Sequence, residues 1–202
     1  KNKVKVDELV SLAPFLSSKA LSELVEDLEV EDVSSLVALA PFLEEETLSI
    51  LLNRHQITDL DDLVAFAPFL DEEELSEILM KSLDKGGRCN IKALAPFLSE
   101  ECLEEYARKT ISSPSFSFSS VEAVLPHLDG PVVSSLFSVL LEKGEKDDLV
   151  ELAPFMDEDE LSDVISSAID EKQMEMKDVM VFAPFLDSDD FGLLIKKAMK
   201  KG

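Results

Sequence analysis

Apolar residues along this 202-residue chain fall in short helical stripes that come back at a nearly fixed spacing. The stretch around Pro68 shows the pattern. Leu60, Leu63, Val64 and Ala67 stand at i, i+3, i+4 and i+7, which is one face of a helix. Thr58, with Asp61 three residues later, resembles a capping box with the shorter acid and marks where that helix should begin. A proline disfavours helical geometry at the residue before it, so the helix is expected to stop or kink at Ala67. Phe69 and Leu70 then make a turn, Asp71 caps a second helix, and Glu74 completes another capping box. Leu75, Ile78 and Leu79 form the apolar stripe of that second helix.

The same sentence is written seven times. A Leu-Ala-Pro-Phe-Leu phrase or a close variant surrounds Pro14, Pro41, Pro68, Pro96, Pro126, Pro154 and Pro184, at spacings of 27, 27, 28, 30, 28 and 30 residues. Each unit repeats the apolar pair that staples a helix start, from Leu16 with Leu21 to Leu186 with Phe191. The cap position reads Ser17, Glu44, Asp71, Ser99, Asp129, Asp157 and Asp187, of which only Glu44 is a weak capping residue. A fixed period in this range predicts a stacked repeat protein, in which each unit buries its apolar face against its neighbours.

On these residues the chain resembles an α-solenoid of helical hairpins, in the manner of HEAT, armadillo or tetratricopeptide arrays. The resemblance covers almost the whole sequence, from about Val6 to Met199. It implies an all-α superhelical array of about seven two-helix repeats, forming one domain over residues 1–202 and presenting an extended face to other macromolecules. The period is shorter than in any of those three families. The tetratricopeptide Trp, Gly and Tyr positions are missing, and the chain has no tryptophan at all.

Charge changes the picture next. There are 43 acidic and 19 basic residues, a net charge of −24. Lys1, Lys3, Lys5, Lys196, Lys197, Lys200 and Lys201 cluster at the chain ends, leaving the middle more acidic still. Such a surface repels a phosphate backbone and suits a protein or peptide partner rich in Lys and Arg. The runs at 44–46, 71–74, 157–160 and 187–190 all fall in first turns of second helices, where acids complement the helix dipole. None has the form of a calcium loop, so no metal and no cofactor is expected. Cys89 and Cys102 are too few for a disulfide framework, which favours a reducing, cytoplasmic compartment. No apolar run reaches a membrane span. Residue 1 is lysine rather than methionine, so the native N-terminus is expected upstream.

Three features break the repeat or decorate it. The linker 111–120 is serine-rich with Phe116 and Phe118, and reads either as a packed loop or as a contact site and hinge between repeats one to four and five to seven. In the fifth unit the corner phenylalanine becomes His127. A serine column stands eight residues after the proline, at Ser22, Ser49, Ser76, Ser134 and Ser162, and allows either close helix packing or a shallow polar groove. Small residues at Ser11, Ala38, Ala65, Ala93 and Ala123 admit the same two readings, and Ile50 and Leu193 stand where other units are polar. The glycines at 86 and 87 terminate a helix. His55 and His127 lie in distant units, and no nucleophile motif accompanies Cys102, so no catalytic residue is assigned. The function expected is a non-enzymatic interaction scaffold. A spacer or self-associating rod, and an accessory module of a larger protein, are the alternatives.

The faces assigned here make a stability test. Leu75→Ala should cost roughly 2–5 kcal/mol in chemical denaturation because it empties a core position. Glu73→Ala should stay within about 0.5 kcal/mol. Equal losses would overturn the assignment of faces.

Overall fold

A computed structural model describes residues 5–25, 30, 33–55, 61–86 and 91–201. The described residues are helical or connecting, with no strand among them. Thr58, Leu60, Cys89, Gly87, Lys1 and Lys3, used in the reading above, lie outside the described residues. The chain divides into two compact units, Lys1–Ser99 and Glu100–Gly202. That division comes ahead of the 111–120 linker, which lies wholly inside the second unit.

The first unit holds α1 (Val6–Leu12), α2 (Ser18–Val25), α3 (Glu45–Arg54), α4 (Asp61–Phe66), α5 (Glu72–Asp84) and α6 (Ile91–Leu94). Here α1 and α4 both pack on a 3₁₀ segment, Val33–Ala38, while α3 packs on α5. The second unit holds α7 (Glu100–Ile111), α8 (Gly130–Lys143), α9 (Lys146–Leu152), α10 (Glu158–Asp170), α11 (Met176–Val179) and α12 (Ser188–Lys201). Its longer helices form a row in which α8 touches α7 and α10, and α10 touches α12. Leu75, Ile78 and Leu79 are buried as the stripe predicts, and α5 begins one residue after its Asp71 cap.

The α-helix stops at the alanine before proline, as expected: α1 ends at Leu12, α4 at Phe66 and α9 at Leu152. The right-handed turn nevertheless continues, since Ala13 keeps φ −49°, ψ −44°, and Ala153 keeps φ −55°, ψ −39°. The chain tightens into a 3₁₀ turn, Ala13–Phe15 in the first hairpin and Ala153–Phe155 in the sixth. Proline fits there because it fills an early position of a new turn, where its missing N–H is not needed. The break falls two residues after proline, where the backbone is extended in all seven hairpins, with ψ between 143° and 154°. First segments are correspondingly short, and that of the second hairpin is 3₁₀ throughout.

Capping also departs from sequence pattern at named positions. Asp71 accepts from the Glu74 N–H at 2.7 Å, and Asp129 from the Val132 N–H at 3.0 Å. Asp157 makes no side-chain cap bond, and neither does Glu44. In the third hairpin only half of the expected box forms, because the Glu74 carboxyl turns to Ser49 of the preceding hairpin. Gly86, as expected, closes α5 with φ +84°.

The 111–120 linker is a packed loop. Phe116 and Phe118 are buried, the Tyr106 hydroxyl donates to the Ser120 carbonyl at 2.9 Å, and Lys143 Nζ donates to the Phe116 carbonyl at 2.9 Å. Lys143 also sits 4.7 Å from the Phe116 ring centre, a cation–π contact. Deeper in the same unit, Phe137 of α8 meets Phe182 at 6.0 Å between ring centres, linking the fifth hairpin to the seventh.

The caps give a paired prediction: Asp129→Ala should cost about 1 kcal/mol, whereas Glu44→Ala should leave the thermal midpoint unchanged. A cost at Glu44 equal to that at Asp129 would show that the cap geometry is misassigned.

Candidate functional site

Two members of the serine column join neighbouring hairpins. Ser134 Oγ donates to Glu160 Oε1 at 2.8 Å, from α8 to the next long helix, α10. Ser49 on α3 makes the same kind of bond to Glu74 on α5. In both units, then, the serine eight after one proline meets the glutamate six after the next. Where that acid is absent the serine finds other company or none. In the second hairpin the position holds Thr47, and Ser22 Oγ is buried without a partner. For Ser76 the position holds Cys102, and Ser76 Oγ turns back to the Glu72 carbonyl at 2.6 Å; for Ser162 it holds the shorter acid Asp190, and Ser162 is half-buried. At Ser49 and Ser134, then, the column is a hydrogen-bonded packing joint.

Gly130 belongs to the same joint. A Cβ there would stand 2.5 Å from Glu160 Oε2, so the bare backbone makes room for the carboxylate that Ser134 holds. A second polar link recurs as well: Lys81 Nζ donates to Asn53 Oδ1 at 3.3 Å, and Lys197 Nζ to Ser166 Oγ at 2.6 Å. In each case a lysine thirteen after its proline reaches the residue twelve after the preceding one. The sequence carried this signal as a fixed offset between hairpins, legible only once the stacking partners are known.

Among the described residues one carboxylate group has its oxygens within 4.8 Å of one another: Glu45, Asp71 and Glu74. Glu45 and Asp71 are exposed, Asp71 is engaged as a cap, and Glu74 is held by Ser49. Glu74 Oε2 is buried with no partner. Burial, then the neighbouring charges of Asp71 and Glu45, raise its pKa against the opposing pull of the Ser49 hydrogen bond. Asp170 is lowered, by hydrogen bonds from Lys197 and Lys201. Burial pushes Asp178 up, yet the Glu175 N–H and Lys146, at 2.6 Å, bring it below the usual carboxylate value.

The concave feature of chemical interest lies in the second unit. A groove of about 370 Å³ is lined by Ser117, Phe118, Ser119, Glu122, Glu145, Asp148 and Glu151. It runs between the linker, the 3₁₀ segment Glu122–His127 and α9. Four carboxylates, two serines and the largely buried Phe118 share this lining, and no described cation pairs with those four acids. A second hollow of about 400 Å³ between α8 and α10 is more apolar, with Phe137, Leu141 and Val164 in its wall.

Of the residues singled out from sequence, Phe118 lines the acidic groove while Phe116 is committed to the core. His127 is exposed on its corner and does not line that groove. His55 is half-buried, with Nε2 enclosed and unpartnered, and belongs to the other unit. Ile50 and Leu193 are exposed, as their positions suggested. The groove acids were missed because they belong to two hairpins and share no motif.

Comparison with known proteins adds no relative: no family model, curated protein or solved structure matches the chain.

Glu74 offers a test by pH. A carboxyl whose folded pKa is raised stabilises the fold below its unfolded value, near 4.5, and loses that contribution as pH rises through the folded value. Glu74→Gln should therefore melt above the parent at neutral pH, with the difference closing towards about pH 4. A constant difference at every pH would rule out the proposed environment.

Proposed function

We propose that the chain is a protein-interaction scaffold, built in each unit from stacked helical hairpins of the α-solenoid kind, that holds a Lys- or Arg-rich segment of another protein. The observation that carries this reading is the acidic groove at Glu122, Glu145, Asp148 and Glu151. Four carboxylates line one concave surface together with Phe118, Ser117 and Ser119. A guanidinium or ammonium group finds acceptors there, and the aliphatic stem of such a side chain finds an apolar floor. Hydrogen bonds from Tyr106 to the Ser120 carbonyl and from Lys143 to the Phe116 carbonyl pin the linker that forms one wall, so a ligand meets a wall already formed. The net charge of −24 adds long-range attraction for the same partner. No helix among the described residues is long and apolar enough to cross a membrane.

The test is a titration of a labelled Arg-rich peptide, followed by fluorescence anisotropy, with a neutral peptide of equal length as control. Binding should weaken steeply as salt shortens the Debye length from about 30 Å to about 3 Å. It should also fall at least about tenfold in a variant carrying Glu122→Gln, Glu145→Gln, Asp148→Asn and Glu151→Gln. Binding that ignores both salt and the four substitutions would overturn the assignment.

A further inference from the structure

Two joints of the second unit can be compared side chain by side chain, counting positions from the corner proline. Between α10 and α12 the joint is closed by two ammonium groups. Lys197 Nζ donates to the Ser166 carbonyl at 2.9 Å, to Ser166 Oγ at 2.6 Å and to Asp170 Oδ2 at 2.5 Å. Lys201 Nζ pairs with Asp170 Oδ1 at 2.6 Å. Ser166 and Asp170 stand twelve and sixteen residues after Pro154, and the lysines thirteen and seventeen after Pro184. In the joint between α8 and α10 the same four positions hold Ser138 and Glu142 on one side, and Ser167 and Glu171 on the other. The acceptors are kept as serine and carboxylate. Both lysines are replaced, one by serine and the other by an acid.

That exchange coincides with a cavity. Ser138, Glu142, Ser167 and Glu171 all line the hollow of about 400 Å³ between the two helices. Asp163 adds a third carboxylate to the lining, and Phe137 and Val164 give it apolar surface. No ion pair among the described residues reaches Glu142, Asp163 or Glu171. Like charges gathered in one concavity raise the local attraction for a cation. From this we infer that the hollow between α8 and α10 binds a linear aliphatic polyamine. Its ammonium groups take the part that Lys197 and Lys201 play in the next joint, and its methylene chain lies against the apolar surface. A lysine of another protein carries one ammonium group and brings its backbone with it. A polyamine carries several on one narrow chain, each charged at neutral pH because an alkylamine titrates at about pH 10.

This inference does not involve the acidic groove. Calorimetric titration of the full chain with spermidine tests it, with n-butylamine as the single-charge control. Spermidine should bind at one site and raise the melting midpoint. Glu142→Gln together with Glu171→Gln should weaken it at least about tenfold, because the charged acceptors are lost. Ser167→Lys supplies an ammonium group from within the chain, so it should melt above the parent and bind spermidine more weakly. The four-substitution groove variant removes more charge than the Glu142–Glu171 pair, yet should bind spermidine as the parent does. Affinity that merely follows net charge would fall most in that variant, and would overturn the site. So would absence of binding at millimolar spermidine, binding that survives both hollow variants, or equal affinity for n-butylamine. A Lys-rich peptide that binds through Glu142 and Glu171 where spermidine does not would overturn the polyamine assignment.

Discussion

The structure depends on a reversal that the backbone performs in five residues. Helical geometry runs through the alanine into a 3₁₀ turn, takes in a proline at a place where no amide is wanted, and then snaps open into an extended residue. An extended residue beside a helix start is what a capping residue needs next to it, so reversal and cap follow from one another. Because the same five residues recur, each second helix leaves its corner in the same way. Columns of equivalent side chains then meet from hairpin to hairpin, and every later feature, from buried stripe to polar joint, depends on that regularity.

Much of this was legible without coordinates because it is local. The apolar stripe of α5, its Asp71 cap and the turn at Gly86 need only the sequence around them. The α-helices do stop at the alanine before proline, but a 3₁₀ turn absorbs the proline, so the break to extended backbone comes two residues after it. What was misread has a more distant cause. Glu74 had the spacing of a capping box, but Ser49 of the preceding hairpin competes for its carboxyl, and that competitor is 25 residues away in sequence. The acidic groove was not legible at all. Its four acids come from two hairpins and look, one by one, like solvated surface charge.

Acidic residues do four different things among the described residues. In first turns of long helices they neutralise dipoles; between hairpins, Glu74 and Glu160 accept serine hydroxyls; Asp170 and Asp178 pair with lysines; around Phe118 they face a hollow where no described cation pairs with them. Counting charges along the chain does not separate the four, whereas asking what each carboxylate already touches does.

The contact between Phe137 and Phe182 has a consequence for how the second unit comes apart. Arrays coupled only between adjacent members can lose terminal members one at a time, each at the expense of one interface. A ring that reaches past the sixth hairpin to the seventh ties three members into one cooperative block. Detaching α12 and its corner would strip cover from α8 as well as from α10, so fraying from that end must disrupt two layers at once. The block, rather than the hairpin, is then the smallest piece of this unit able to stand as a folded entity.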